Sequence, residues 1–347
     1  MTQPTEDAKK CVSIIFNPTS GQSDPEQRQK IISDTLAEQG YTCQFIHTTP
    51  ETGAKALAAQ ALKDGVDLLA VSGGDGTVME ALSALVGTDI PIAVLPAGTG
   101  NLLSVNLGIP ITVPEAVNVA LSGKPYALDL CRADNDRYFA ILGGIGMDAQ
   151  VIADADREAK DKMGKAAYFW AALKNLPRRH VHVHVSLDGG KPFRRKVKSV
   201  LLANMGQITG GVSIFPTASP DDGLLDVGIL KAATLAHWAH LAGSALLGRT
   251  QHDPALEVHQ ARTVTITTRR PQPVQFDGEA EGRTRSLTVE VVPKAVHVLL
   301  PQAAPAALSM QNERPEIVAE RTARRRLLLP LGLLALIAGA IIVWRRR

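Results

Sequence analysis

Three short stretches of this 347-residue chain combine residue types that can handle phosphate, a metal ion or a proton. The first is Ser72-Gly73-Gly74-Asp75-Gly76-Thr77, directly after the apolar run 66–71. Glycines around one carboxylate at the end of a buried strand, with a helix-like stretch starting at Thr77, let backbone N–H groups approach a phosphate. An ordinary strand-to-helix turn can carry the same letters, so this reading as a nucleotide site needs support from elsewhere. The second stretch, Asp221-Asp222-Gly223, is an acidic turn whose carboxylate and carbonyl oxygens suit a hard cation, although a plain hairpin turn would carry the same letters without metal. The third, Asp277-Gly278-Glu279, sets two carboxylates in a turn between strands, where a carboxylate can accept a hydroxyl proton.

Other phosphate devices are missing. No G-x-x-x-x-G-K-[ST] pattern occurs, because Gly164-Lys165 lacks the upstream glycine and the following hydroxyl. Gly98-Thr99-Gly100-Asn101-Leu102-Leu103 is only half of a dinucleotide fingerprint. His182 and His184 are two residues apart in an alternating strand, which marks one solvated face rather than a pair of metal ligands.

The elements that must position these stretches follow from periodicity. Strands are expected at 11–16, 41–47, 66–71 and 90–95, with helices at 25–39, 51–63 and 77–86 between them. Such alternation implies a parallel sheet with its ligand site beyond the carboxyl ends of the strands. Loops 17–21, 48–49, 73–77 and 96–101 all lie at such ends, which is independent support for the first stretch. Beyond about residue 125 the texture becomes β-rich and antiparallel. Strand 181–185 turns at Asp188-Gly189-Gly190 and returns over 197–203, and short strands follow at 263–268, 274–276, 287–292 and 296–300. Helix-like stretches interrupt at 160–176 and 234–247. The expected division is an α/β nucleotide-binding domain over 9–125 and a β-sandwich-like domain over 126–301 that completes the cleft.

Residues 302–326 read as a linker. Residues 327–344 carry no charge and are bracketed by arginine triplets, with Trp344 at one boundary. At about 27 Å of helix they are expected to span a membrane, with the catalytic portion on the cytoplasmic side. The net charge is +3, but seven arginines lie at or beyond Arg321, and the balance without them is negative. This argues against nucleic acid as a partner. Cys11, Cys43 and Cys131 have no metal-like spacing and read as buried free thiols in a reducing compartment. Oligomeric state is not legible.

Six pieces in order resemble the diacylglycerol kinase catalytic-domain family, which includes bacterial lipid kinases and is related to sphingosine kinases. They are Asn17-Pro18-Thr19-Ser20-Gly21, then Gly73-Gly74-Asp75-Gly76-Thr77 with Glu80, and Pro96-Ala97-Gly98-Thr99-Gly100-Asn101. Gly143-Gly144-Ile145-Gly146-Met147-Asp148-Ala149, Asp221-Asp222-Gly223-Leu224-Leu225-Asp226-Val227 and Asp277-Gly278-Glu279 complete the set.

The resemblance implies a kinase that holds ATP between the two domains and phosphorylates a hydroxyl of diacylglycerol or a related long-chain lipid. Carried over by position, the nucleotide would meet Asn17, Pro18, Thr19, Ser20 and Gly21, then Thr48, with Thr49 as an alternative. It would also meet Gly73, Gly74, Asp75, Gly76, Thr77, Val78, Met79, Glu80 and Thr99. Asp222, with backbone groups of Ser219 and Leu224, matches a Mg2+ site. Glu279 matches the base of the bacterial lipid kinases, with Asp277 as its orienting partner or substitute. The position of Asp75 has the base role in sphingosine kinases, so the choice among these carboxylates stays open here. Asn101-Leu102-Leu103-Ser104 departs from the Asn-Asp-Phe-Ala of many bacterial relatives and lacks their aspartate. The competing readings are a soluble-substrate kinase of the NAD kinase type and a catalytically silent lipid-binding membrane protein.

Overall fold

The computed structural model describes residues 11–21, 24–66, 68–146, 180–208, 212–232, 234–246 and 249–302. The helix expected at 160–176, the end of the Gly143 motif, nearly all of the linker and the apolar stretch 327–344 lie outside the described residues. Among those described, no helix is long and apolar enough to cross a membrane.

The N-terminal half alternates as its periodicity predicts. Strands β1 (Cys11–Phe16), β2 (Thr42–His47), β3 (Leu69–Gly73) and β4 (Pro91–Pro96) pair in parallel in the order β4-β3-β1-β2. Helices α1 (Pro25–Glu38), α2 (Ala54–Asp64), α3 (Asp75–Leu85), α4 (Leu102–Leu107) and α5 (Val113–Ser122) connect or follow them. Adjacent strand residues serve opposite cores: Ile14 packs with Ile32, Leu36 and Val117, and Ile15 with Ala58, Leu82 and Leu85. Both faces are therefore covered, which is why the strands read as continuous apolar runs. Full burial of each such side chain contributes roughly 1.5–3 kcal/mol.

Helix α3 begins at Asp75, two residues earlier than expected. Gly74 sits at the cap in extended conformation, so Asp75 and Gly76 are already helical and the acid falls in the first turn, where the helix dipole favours it.

The C-terminal half is β-rich. Strand β5 (Lys124–Ala133) runs across position 125; β6 (Arg137–Phe139) and β7 (Leu142–Ile145) follow. The hairpin partner of β8 (Val181–Leu187) is β9 (Phe193–Val197) rather than 197–203. Asp188 and Gly189 both have positive φ, and the Gly190 N–H donates to Leu187 O (2.8 Å), closing a tight turn one residue out of step with the ladder that pairs Val185 with Phe193. Phe193-Arg194-Arg195-Lys196 reads as a loop in sequence because its charged side chains hide the strand pattern. Residues Ser199–Ala203 form a separate strand, β10, between β7 and β13 (Leu225–Leu230). Short β11 (Gln207–Ile208) and β12 (Val212–Ser213) pair with each other, α6 covers Leu235–Leu246, and β14 (Leu256–Ala261) borders β13.

The four short strands expected beyond residue 263 are two long ones, β15 (Thr263–Phe276) and β16 (Glu279–Leu300). Register shifts between Thr267 and Gln272 and between Val292 and Val296 interrupt the alternation and make each look divided. β16 pairs with β15 and β5, and its end pairs in parallel with β4. One continuous sheet thus joins the halves and carries the 277–279 turn toward the parallel strands. The cysteines are all free, but only Cys131 is buried; Cys11 starts the first strand and is exposed.

Candidate active site

The nucleotide-like loops meet at the carboxyl ends of β1, β3 and β4. The Asn17 N–H donates to Ser72 O (2.9 Å) and the Ala97 N–H to Gly73 O (2.9 Å), which extends the ladder into the loops. Asn17 Nδ2 donates to Thr77 Oγ1 at 2.8 Å, and the Gly74 N–H donates to Ser20 Oγ at 3.2 Å. The Thr19 N–H and hydroxyl both donate to Asn17 Oδ1 (3.0 and 2.9 Å), closing the turn that contains Pro18. A methyl group on Gly98 would lie 2.7 Å from Gly74 Cα, so these two loops touch through bare backbone. Gly21 packs equally closely against the Ala97 carbonyl, and Gly73 against the Thr77 side chain. Thr99 is exposed at the rim.

The first N–H groups of α3 lack helical acceptors and face this junction, the arrangement that binds phosphate at helix N-termini. Val78 is buried in the core and Met79 packs against it, so these two can offer a nucleotide only backbone. Glu80 also caps a helix. Its Oε2 accepts from the Ala54 N–H at 2.8 Å, supplying the acceptor that Gly53 cannot give α2. Asp75 likewise accepts from the Leu103 N–H at 3.1 Å, at the start of α4. That helix follows Asn101, which holds a left-handed conformation and donates from Nδ2 to Gly98 O (2.9 Å).

Thr48 and Thr49 differ in how their hydroxyls are used. Thr49 Oγ1 accepts from the Glu51 and Thr52 N–H groups (3.3 and 3.1 Å) and is spent on its own turn. Thr48 donates its N–H to Phe16 O (2.9 Å), and its hydroxyl is not used by that bond. Thr48→Val is therefore expected to raise KM for ATP about fivefold with an unchanged melting temperature, the effect of one lost hydrogen bond. Thr49→Val is expected instead to cost about 1 kcal/mol of stability. Steady-state kinetics and thermal unfolding of the two variants separate these outcomes.

Opposite the glycine loop stands the β15–β16 turn. A methyl group at Gly76 would overlap Glu279 Oε1, so the Glu279 carboxylate rests directly on the first turn of α3. Its pKa is raised, chiefly by burial and further by Glu281 and Glu80, with Arg137 opposing. Asp277 is used differently. Its carboxylate accepts from the N–H groups of Ala140 (2.8 Å), Ile141 (2.9 Å) and Leu142 (2.9 Å). Burial outweighs these donors, and with Asp75 nearby pushes the carboxyl up to about 6.

The 219–226 segment forms a second acidic site. The Leu224 N–H donates to Asp222 Oδ1 (2.8 Å) and Ser219 Oγ to Asp221 Oδ1 (2.6 Å). Asp226 is buried and accepts from Thr217 Oγ1 (2.7 Å) and Gln260 Nε2 (2.8 Å). Asp222 is pushed up to about 6, first by burial and then by Asp226, Asp129 and Asp221. No three metal-binding side chains converge among the described residues. A Mg2+ ion held by one carboxylate, backbone carbonyls and waters needs no such cage.

Two residues of this framework escape sequence reading. Arg28, only 3% exposed, donates from Nη1 to Ser20 O (2.7 Å) and from Nη2 to Asn17 O (2.6 Å) while lying over the Phe16 ring. It fixes the first loop from beneath, and nothing in its helical setting signals burial. Asp129 accepts from the Gly223 and Lys294 N–H groups (both 2.7 Å) and anchors the acidic turn to β16. Its place between Leu128 and Leu130 in an apolar run was a usable signal.

A parallel α/β half, a β-sandwich-like half and a glycine-lined helix start facing a carboxylate turn define a phosphotransferase fold of the kinase type. The chain belongs to the diacylglycerol kinase catalytic-domain family. The profile of that catalytic domain matches residues 11–133, and that of the YegS C-terminal NAD kinase beta sandwich-like domain matches 143–300. A protein of Shewanella frigidimarina named "Probable lipid kinase YegS-like" is 30% identical over 285 residues, covering 80% of this chain and 90% of its own. The diacylglycerol kinase of Bacillus subtilis is 28% identical over 297 residues, covering 84% and 97%. A crystal structure of a diacylglycerol kinase from Bacillus anthracis shares the fold with a TM-score of 0.71 at 24% identity, covering 86% of this chain and 99% of that one.

Proposed function

We propose that this protein is an ATP- and Mg2+-dependent lipid kinase that phosphorylates a hydroxyl of diacylglycerol or a related long-chain lipid. The observation that carries the reading is the Glu279 carboxylate resting on Gly76, beside the N-terminus of α3. A proton acceptor next to a phosphate cradle is what hydroxyl attack on a γ-phosphoryl group requires. In this reading the 17–21 loop, Thr48, the start of α3 and Thr99 hold the nucleotide, and Glu279 takes the proton of the lipid hydroxyl. Asp277 orients the turn, and Asp75 organises α4 beside it.

Asp222, with backbone oxygens of Ser219 and Leu224, would hold Mg2+. The fit rests on a carboxylate whose charge is disfavoured by three neighbouring aspartates and would be relieved by a cation. At this position a bound ion would supply charge compensation that fixes the 219–226 segment against β5. The apolar stretch 327–344 would anchor the catalytic part at the cytoplasmic face, concentrating it where an insoluble acceptor resides.

The test is transfer of label from γ-labelled ATP to a panel of long-chain lipids, with and without Mg2+. Label is expected in a diacylglycerol-like acceptor, and only with Mg2+. Formation of NADP from NAD and ATP, with no labelled lipid, would reject the proposal.

A further inference from the structure

The hairpin that carries Asp277 and Glu279 also carries a cluster of exposed arginines that form no ion pair among the described residues. β15 and β16 pair regularly from Thr263 opposite Glu290 to Thr267 opposite Ser286, and pairing resumes at Gln272 opposite Thr284. In between, residues 268–271 oppose Arg285 alone, so β15 bulges out of the ladder. The bulge is braced: Arg270 O accepts from Thr268 Oγ1 (2.9 Å) and Gln272 Nε2 (3.0 Å), and Pro271 O from Arg283 Nη2 (2.9 Å). Held in this way it presents Arg269 and Arg270 to solvent beside exposed Arg283 and Arg285.

The neighbouring strands carry further exposed cations. In β8, Val183 and Val185 point inward and His182 and His184 outward, across from exposed Lys196 and Arg194 of β9. His184 stands opposite Thr267 of β15 and through it Ser286 of β16, so the β8–β9 cations lie on the Thr267–Ser286 side of the sheet, whereas Arg283 and Arg285 alternate to the side of Leu287. Segments 181–187, 193–197, 263–276 and 282–289 contain no Asp or Glu. Among the described residues none of these six cations forms an ion pair, whereas Arg132, Arg137 and Arg195 each meet a glutamate. Clustered like charges oppose one another, so such a surface is best satisfied by an external polyanion.

We propose that this arginine-rich part of the β15–β16 hairpin, centred on the bulge with Arg269 and Arg270, docks the protein on an anionic lipid surface. The choice of lipid rests on the lipid-kinase reading; the surface itself rests on charge and strand geometry. Arg283 is four residues from Glu279, about 13 Å along the strand. Arginines engaged with headgroup phosphates therefore hold the active-site turn at the height of the acceptor hydroxyl, and their planar forks suit phosphodiesters. A negative charge balance over the rest of the chain outside the terminal arginines disfavours nucleic acid.

The test is co-sedimentation of the full chain with vesicles of phosphatidylcholine alone or mixed with phosphatidylglycerol, read as the ratio of the two affinities. Roughly fivefold per basic residue is expected, so Arg269→Gln with Arg270→Gln should lose roughly twenty-fold of the preference for mixed vesicles. Arg269→Lys with Arg270→Lys is expected to retain most of it, at an unchanged melting temperature. On a short-chain diacylglycerol dispersed without vesicles, the glutamine variant is expected to match the unchanged protein. An undiminished preference in the glutamine variant would overturn the proposal. So would tighter binding to duplex DNA that depends on the same arginines. Vesicle binding needs no turnover, so a protein that labels no lipid yet binds as described refutes the kinase reading and supports the surface.

Discussion

Glu279→Gln is expected to lower kcat for lipid phosphorylation by two to four orders of magnitude with little change in KM for ATP, the range for loss of a general base. The amide keeps the size of the side chain and its seat over Gly76, so the nucleotide loop stays intact, but it cannot take the hydroxyl proton. A raised pKa suits this role, because a more basic carboxylate drives proton transfer further. The sign can be read from rate against pH. Burial, Glu281 and Glu80 lift the Glu279 carboxyl above its ordinary 4.5, so the acid limb of kcat/KM is expected above that value. The limb should be absent from the residual activity of the glutamine variant. Loss of less than tenfold, with the limb retained, would move the base to another carboxylate.

A second substitution probes the same contact from the other side. The Cβ of Gly76→Ala would overlap Glu279 Oε1, and the Glu279 carboxylate must leave this seat before the methyl group fits. Because Gly76 has helical conformation, alanine should favour α3 itself by up to about 1 kcal/mol. The expected result is a well-folded protein with kcat reduced at least tenfold, since small misplacements of a reacting group are costly. A merely structural glycine would give the stability change without the kinetic one.

What could be read from sequence follows from how each element meets its surroundings. The parallel strands were visible because burial on both faces makes them uniformly apolar, as Ile14 and Ile15 illustrate by facing different cores. The loops at their ends were visible because glycine is required wherever backbone touches backbone, as at Gly74 and Gly98. Illegible features depend on partners distant in the chain. Glu80 looks like one more motif residue until Ala54 is placed beside it. Arg28 reads as a surface helix residue, although its guanidinium lies beneath the Asn17–Ser20 turn. β9 hides its strand character behind Arg194 and Lys196, exposed on its outer side, and Arg195, which meets Glu257 on the other. β16 looks like two strands because its alternation shifts where it leaves β15, which is where it crosses toward β4.

Asp277 separates a positioning role from a catalytic one, and its two substitutions are expected to differ. Asp277 has φ +47°, and Gly278 beside it has φ +89°, the left-handed pair that closes a tight hairpin. Asp277→Ala would strain that conformation and leave the N–H groups of Ala140, Ile141 and Leu142 without their acceptor. Orphaned donors of a charge-assisted network and a strained turn together are expected to cost roughly 3–5 kcal/mol, and activity would go with the fold. Asn tolerates the same φ, and its carbonyl can still serve Ile141 and Leu142, which both donate to one oxygen. Only Ala140 then faces an amide donor, so Asp277→Asn is expected to cost about 1–2 kcal/mol. If Asp277 were the base, the asparagine variant would lose activity as completely as Glu279→Gln while remaining nearly as stable. As a positioning residue, it should instead lower the melting temperature, reduce kcat only about tenfold and keep the acid limb. The pH dependence of stability gives a further check. The folded carboxyl titrates at about 6, above the value near 3.9 of an unfolded chain. The native state therefore binds this proton more tightly, and the contribution of the group to stability falls as pH rises from about 4 to about 6 and is level above. Melting temperatures of the two proteins are accordingly expected to lie farthest apart at the acid end of that window and to converge toward a constant gap above it.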